Sequence, residues 1–355
     1  MTRLRLGALL GAIMALAAGS TALVFALPAA ASASASSRSF WVSPNGRSSA
    51  TGTRGDPFAT LQQARDAVRA VSHVRGDIVV NIENGTYRLS RPLSFTSRDS
   101  GRGGRDVVYR AAPGAHPIIS GARSVPGRDW AVQNATLNIW RAHVGDVATQ
   151  QLYVDGERAT LAQTTASPVG FLPHWVKDPT VSGIQYQVTS LNPARWADPT
   201  AWSAPGDVEA VIDTQWKTMI VPVSSVTAPV PGAPGLLTMQ QPAWDNANVF
   251  VDAKTQMPGI WSFWQVTRFQ NAYEFLDSPG EWYLDRAAGD LFYIPLPGQR
   301  MDNAKVELPV LETLVRADGS ATRPVAHLRI EGLTFTGATW LAPASRDGYV
   351  SDQSG

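Results

Sequence analysis

The chain has 355 residues, of which 17% are charged, and its 30 basic and 29 acidic side chains leave a net charge of +1. With charge this low and no block of one sign, it lacks the electrostatic footprint of a nucleic-acid or anionic-membrane partner. There is no cysteine, which excludes disulfides, thiolate catalysis, cysteine-ligated zinc and a lipidated cysteine anchor.

The N-terminus carries an export pattern. Arg3 and Arg5 precede an apolar run from Leu6 to Leu27, and Ala29 to Ala35 supplies small residues for cleavage. The run is long enough to cross a bilayer, which takes roughly 20 apolar residues. Its Ala and Gly content, Pro28 and the small-residue stretch favour a cleaved signal over 1–35. The expected mature protein begins near Ser32–Ser37, is secreted, and has no membrane contact after cleavage.

Phe40-Trp41-Val42 is a short strand signal, ended by the turn residues Pro44-Asn45-Gly46. Thr60 opens a helix. Its spacing to Gln63 is that of a capping box, and Leu61, Ala64, Val68 and Val71 follow on one face. The helix is expected to end before Gly76. Ile78–Ile82 reads as a buried strand, Asn84-Gly85 as a turn, and Pro92–Phe95, Val107–Arg110 and Ile118–Ser120 as further short strands. Strands this closely spaced leave no room for helical crossovers. A sandwich or the short coils of a parallel solenoid both satisfy the pattern.

Together, Trp41-Val42-Ser43-Pro44-Asn45-Gly46, Asp56-Pro57-Phe58-Ala59-Thr60-Leu61, Ala64-Arg65-Asp66-Ala67-Val68 and Gly85-Thr86-Tyr87 resemble the opening of bacterial right-handed parallel β-helix proteins of the pectin-lyase-like group. The resemblance covers roughly 40–121 and returns at 325–355, where Ile330-Glu331-Gly332-Leu333-Thr334-Phe335 looks like one coil. It implies a solenoid whose first coil is capped by the Thr60 helix. That scaffold hosts lyases, hydrolases, epimerases and adhesins, so the resemblance speaks to fold more than to function.

The middle of the chain differs. Ten of its twelve Trp lie between Trp130 and Trp282. Leu152–Leu161 reads as a hairpin around Asp155-Gly156, and Trp282–Asp285 with Leu291–Ile294 as another. Val208–Ile212, Met219–Val223 and Leu236–Met239 are further strand candidates. We read 126–310 as a β-sandwich-like insert. It resembles the insert of a subset of secreted β-helix glycoside hydrolases, a group with α-fucosidase and xylanase activities.

From Val325 the solenoid pattern resumes, with Leu328, Ile330, Leu333 and Phe335 able to face a core. The expected fold is all-β: a right-handed parallel β-helix (solenoid) with an N-terminal capping helix and an inserted antiparallel β-sandwich-like domain. Its segments are a signal over 1–35, the cap and first coils over 36–125, the insert over 126–310, and resumed, truncated coils over 311–355.

Glycoside hydrolysis needs two carboxyl groups facing one cleft. No pair of acids shows such convergence, and in the resembling hydrolases the catalytic acids lie on later coils, which puts them beyond Gly355 here. Asp347 and Asp352 flank Tyr349, with Trp340 nearby as a ring on which a sugar could stack. The plainer reading is a solvated loop with Trp340 packed under the insert. Trp261 and Trp264 around Phe263 form the densest aromatic cluster, either a stacking platform or core filler where insert and solenoid meet. These six, Trp340, Asp347, Tyr349, Asp352, Trp261 and Trp264, are the substrate-binding candidates.

His73, His116, His143, His174 and His327 are isolated, and Asp99, Asp106 and Asp129 read as loop acids, so neither a metal nor a cofactor is expected. The functional expectation is a secreted polysaccharide-acting protein of glycoside-hydrolase type, or the N-terminal part of one, with a polysaccharide or oligosaccharide as partner. A non-catalytic glycan-binding or surface protein and a polysaccharide lyase are the alternatives. N-terminal sequencing of the exported protein tests the leader: the first residue is expected within Ser32–Ser37, and retention of Leu6–Leu27 would make the run an anchor.

Overall fold

The computed structural model describes residues 37–72, 75–164, 168–178, 180–187, 195–214, 217–249 and 262–351. The expected signal at 1–35 lies outside the described residues. The protein is mostly β, with 41% strand and 12% helix in several sheets, one of them a curled half-barrel. Most strand pairs are antiparallel, and the parallel ones are confined almost entirely to the two flanks of the chain.

Those flanks pass through three ladders in turn. The first joins Arg38–Arg47, Ile78–Ile82, Val107–Ala111 and Leu328–Glu331, all parallel, with Arg38, Ile78, Val107 and Leu328 in register. The second joins Thr86–Arg88, Ile118–Ser120 and Thr334–Thr336, aligning Tyr87, Ile119 and Phe335. The third pairs Leu93–Thr96 with Val315–Asp318. Side chains at one register position therefore stack, and Phe40, Val42, Val80, Ile82, Tyr87, Phe95, Tyr109 and Ile119 share one core.

The helix Leu61–Arg69 lies against this core. Its start is the expected capping box: Thr60 Oγ1 accepts from Gln63 N at 3.2 Å, and Gln63 Oε1 accepts from Thr60 N at 3.0 Å. Leu61, Ala64 and Val68 are the buried face. The helix stops at Arg69, well before Gly76. Arg69 grips Asp99 with two bonds of 2.7 Å, and Asp99 also accepts from Thr96 N at 2.7 Å. This fork fixes the helix to the third ladder.

Two expectations on the flanks differ. The first strand does not turn at Pro44-Asn45-Gly46 but runs on to Arg47. Gly46 is needed for contact rather than for a turn: a Cβ there would fall 2.3 Å from the Phe58 carbonyl oxygen. Ile330 and Phe335 do not reach a core and are 39% and 41% exposed. Among the described residues their strands have a ladder neighbour on one side, so alternation gives them a facing direction but no covering layer. Leu328 and Leu333 are partly buried against the core.

Between the second and third ladders the chain leaves for the antiparallel sheets. Ala122–Val125 pairs with Val306–Pro309, which continues to the hairpin Tyr153–Val154 and Glu157–Arg158. Its turn residues Asp155 and Gly156 both have positive φ, 54° and 89°, as a type I′ turn requires. A five-stranded sheet contains the expected Glu281–Asp285 and Asp290–Tyr293 hairpin. The largest sheet runs Phe171–His174, Gly183–Tyr186, Gly235–Met239, Thr218–Thr227, Glu209–Asp213 and Arg268–Gln270. Tyr349–Ser351 also joins it, pairing antiparallel with Thr218–Ile220, so the chain crosses from the parallel ladders back to the large sheet after Thr336. Phe171, Tyr186, Trp196, Trp202 and Phe269 pack at this sheet's core in stacked, tilted and edge-to-face pairs.

The Arg69–Asp99 fork gives a test. Asp99 is 1% exposed, so Arg69→Met leaves a buried carboxylate without its cation and is expected to lower unfolding free energy by about 3 kcal/mol. Thr60→Ala, which loses only the cap, should lower it by about 1 kcal/mol. Urea unfolding measures both, and equal effects would contradict the assignment of Asp99 as a carboxylate dependent on Arg69.

Candidate functional site

Three of the six candidate residues lie on the segment that follows the last parallel strand. Gly337 turns it with φ 68°, where a Cβ would come 2.9 Å from that of Ala122. Thr339 is buried, and its hydroxyl accepts from Gln150 N at 3.1 Å. Trp340 N then donates to Gln151 Oε1 at 3.2 Å and Leu341 N to Glu312 Oε1 at 2.8 Å. These bonds set the backbone of Trp340 while leaving its side chain 46% exposed.

Tyr349 returns to meet it. The Trp340 and Tyr349 rings lie 5.0 Å apart at 89°, an edge-to-face pair that presents an aromatic surface to solvent. Asp347 is exposed two residues earlier, and its carbonyl accepts from Asn246 Nδ2 at 3.0 Å. The exposed carboxylate of Glu312 borders the same segment. The arrangement offers an apolar ring surface edged by hydrogen-bond acceptors, the combination that suits a sugar face and its hydroxyls.

The remaining candidates do not gather there in what is described. Asp352 and Trp261 lie outside the described residues. Trp264 is 42% exposed, while its neighbour Phe263 is fully buried against Trp244 with ring centroids 5.5 Å apart. Residues 262–264 are not in a strand, so alternation does not decide their facing; the core contact of Phe263 does.

A buried acid of the large sheet is linked to this segment through Gln150, and composition gave little warning of it. Glu209 is 1% exposed, with Oε1 accepting from Gln150 Nε2 at 3.2 Å and Oε2 from Gln270 Nε2 at 2.7 Å. Burial pushes its carboxyl up to about 7, against the opposing pull of the two glutamine amides. A second buried acid, Glu281, is pushed to about 7 by the same cause, although it accepts from the backbone N–H groups of Gln163, Asp277 and Ser278. The signal in the sequence was a lone acid within the apolar run Val208-Glu209-Ala210-Val211-Ile212.

A proton-transfer group must touch its substrate. Glu209 is sealed, with both oxygens occupied, so its role is to join the large sheet, through Gln150, to Thr339 and the Trp340 segment. Among the described residues no group of three His, Asp or Glu converges as a metal site.

Glu209 makes stability depend on pH. Its carboxyl rises from an ordinary value of 4.5 to about 7 on folding. The folded state therefore holds a proton that the unfolded chain has released, and this contribution, complete below about pH 4.5, is lost as pH rises through 7. Relative to Glu209→Gln, the wild-type protein is expected to lose stability across that window, at up to about 1.4 kcal/mol per pH unit. Urea unfolding at several pH values measures the difference, and parallel pH profiles would refute the assignment.

No family model and no curated protein matches the sequence. Among solved structures, a protein described as "Glycoside hydrolase" superposes with a TM-score of 0.71 at 26% identity over 86% of this chain. The alignment takes in 52% of that protein, so this chain spans about half its length. "The complex structure of XylC with xylose" and a "Rhamnogalacturonan lyase" align with TM-scores of 0.39 and 0.19, at 13% and 28% identity. These cover 84% and 23% of this chain, and 35% and 22% of theirs, and at such scores neither bears on the fold. By structure, the chain is glycoside-hydrolase-like.

Proposed function

We propose that this chain belongs to an exported, polysaccharide-acting protein of glycoside-hydrolase type, in which the Trp340–Tyr349 surface contacts the glycan. The observation that carries this reading is the likeness to a glycoside hydrolase over 86% of the chain at a TM-score of 0.71. The three in-register parallel ladders support a right-handed parallel β-helix, since crossovers between parallel strands of one sheet are right-handed almost without exception. The Thr60 helix is then its cap and 126–310 its insert. Export rests on the charged start, apolar run and small-residue stretch of 1–35.

A second reading, a glycan binder without turnover, has its own support. The exposed aromatic pair suits binding, while Glu209, pushed by burial to about 7, is sealed with both oxygens hydrogen-bonded and has no access to a substrate. Reducing-sugar release from a panel of plant and microbial polysaccharides, using the protein from its complete reading frame, separates the two. Hydrolysis supports the first reading, and binding without release supports the second. A product absorbing as an unsaturated sugar would instead make it a lyase.

Under either reading Trp340→Ala is expected to weaken glycan binding about tenfold, equivalent to about 1.4 kcal/mol. Tyr349→Ala should act in the same direction and Asp347→Asn less, because Asp347 is engaged through its backbone carbonyl. Calorimetric titration with the best oligosaccharide of the panel measures these changes, and unchanged affinity in Trp340→Ala would remove the aromatic surface from the site.

A further inference from the structure

A second cleft lies on the large sheet. Beyond Phe171–His174 the chain continues through Trp175, Val176 and Lys177, opposite the turn Gln241-Pro242 and the short helix Ala243–Ala247. Between them is a space of about 270 Å³ lined by Val176, Lys177, Gln241, Pro242 and Asp245. Asp245 Oδ1 accepts from the Trp175 indole and from Gln241 Nε2, each at 3.3 Å. Among the described residues its other oxygen makes no side-chain hydrogen bond. Lys177, an exposed cation, lines the same space.

The walls are held by one buried hydroxyl. Ser182, 3% exposed, accepts from Val176 N at 3.1 Å and from the Trp244 indole at 2.8 Å, and donates to the His174 carbonyl at 3.4 Å. Trp244 belongs to the helix wall and Val176 to the segment that follows Phe171–His174, so the separation of the two is set before any ligand arrives. Preformed walls reduce the ordering cost of binding. Asn246, next to Asp245, bonds the Asp347 carbonyl and so links this wall to the segment that carries Tyr349.

The chemistry of the lining selects a ligand. A carboxylate and an amide match the hydroxyls of a saccharide, Val176 and Pro242 add apolar surface, and the Lys177 ammonium calls for an anion. We infer that this cleft is a saccharide subsite for a uronate, whose carboxylate pairs with Lys177 and whose hydroxyls bond Asp245 and Gln241; the inference rests on the carbohydrate reading above.

Calorimetry on the intact chain with a galacturonate trisaccharide and a neutral galactose trisaccharide tests it. The acidic sugar is expected to bind about tenfold more tightly at low salt. Lys177 is exposed, so Lys177→Met should fold normally and bring both sugars to the same affinity, whereas Lys177→Arg should keep the preference. Trp175→Phe should weaken both sugars, with circular dichroism reporting that the variant is folded.

Equal binding of the two sugars by the wild-type protein, or an acidic preference that survives in Lys177→Met, overturns the subsite. If Trp340→Ala abolishes binding while Lys177→Met changes nothing, the subsite fails and the carbohydrate reading stands. If neither trisaccharide binds, the subsite fails, and polysaccharide turnover decides the broader reading on its own.

Discussion

The constraint on which the architecture depends is the return of the chain to Gly121. The backbone leaves the second ladder there and comes back at Val310, whose N–H donates to the Gly121 carbonyl at 2.9 Å. The Gly121 N–H donates in turn to the Thr336 carbonyl at 3.1 Å. A Cβ on Gly121 would stand 2.9 Å from the Gly337 carbonyl oxygen, so the crossing has no room for a side chain. Because the exit and re-entry strands Ala122–Val125 and Val306–Pro309 pair with each other, the excursion closes on itself. The parallel ladders on either side can then stack as though nothing intervened, and Leu93–Thr96 finds its partner in Val315–Asp318.

Polar groups rather than apolar contact make the joints between these parts. Asp99 ties helix to ladder, Thr339 ties the returning segment to Thr149 and Gln150, and Glu209 ties Gln150 to Gln270. Each involves a buried group that would be costly to leave unmade, so each joint tolerates one geometry. The three apolar cores are, by contrast, made mainly by side chains of their own region. Packing gives each region its bulk, and the buried hydrogen bonds give the regions their mutual register.

Local chemistry was legible in the sequence. The Thr60–Gln63 box, the Asp155-Gly156 turn and the Glu281–Tyr293 hairpin are decided within a few residues, and the structure has each of them. Pro44-Asn45-Gly46 shows the limit, since turn residues permit a turn without compelling one, and contact with Phe58 decides otherwise. Alternation gave the facing of Ile330 and Phe335 but could not supply a neighbour to cover them. The pairing of Trp340 with Tyr349 fell within reach because few residues separate them. The meeting of Trp175 with Asp245, and of Gln150 with Glu209 and Gln270, spans long stretches with no periodicity to announce it.

The charges on two of the parallel strands bear on what can pair with them. Val315–Asp318, Leu328–Glu331 and Thr334–Thr336 are each terminal in their ladders among the described residues, and a terminal strand can pair with a further one. Two of the three carry ion pairs along the strand, Arg316 with Asp318 and Arg329 with Glu331. An incoming strand would have to desolvate those charges beside its own backbone. The pairs therefore set a condition on any strand that pairs there, which must leave those charges hydrated or meet them with polar groups of its own.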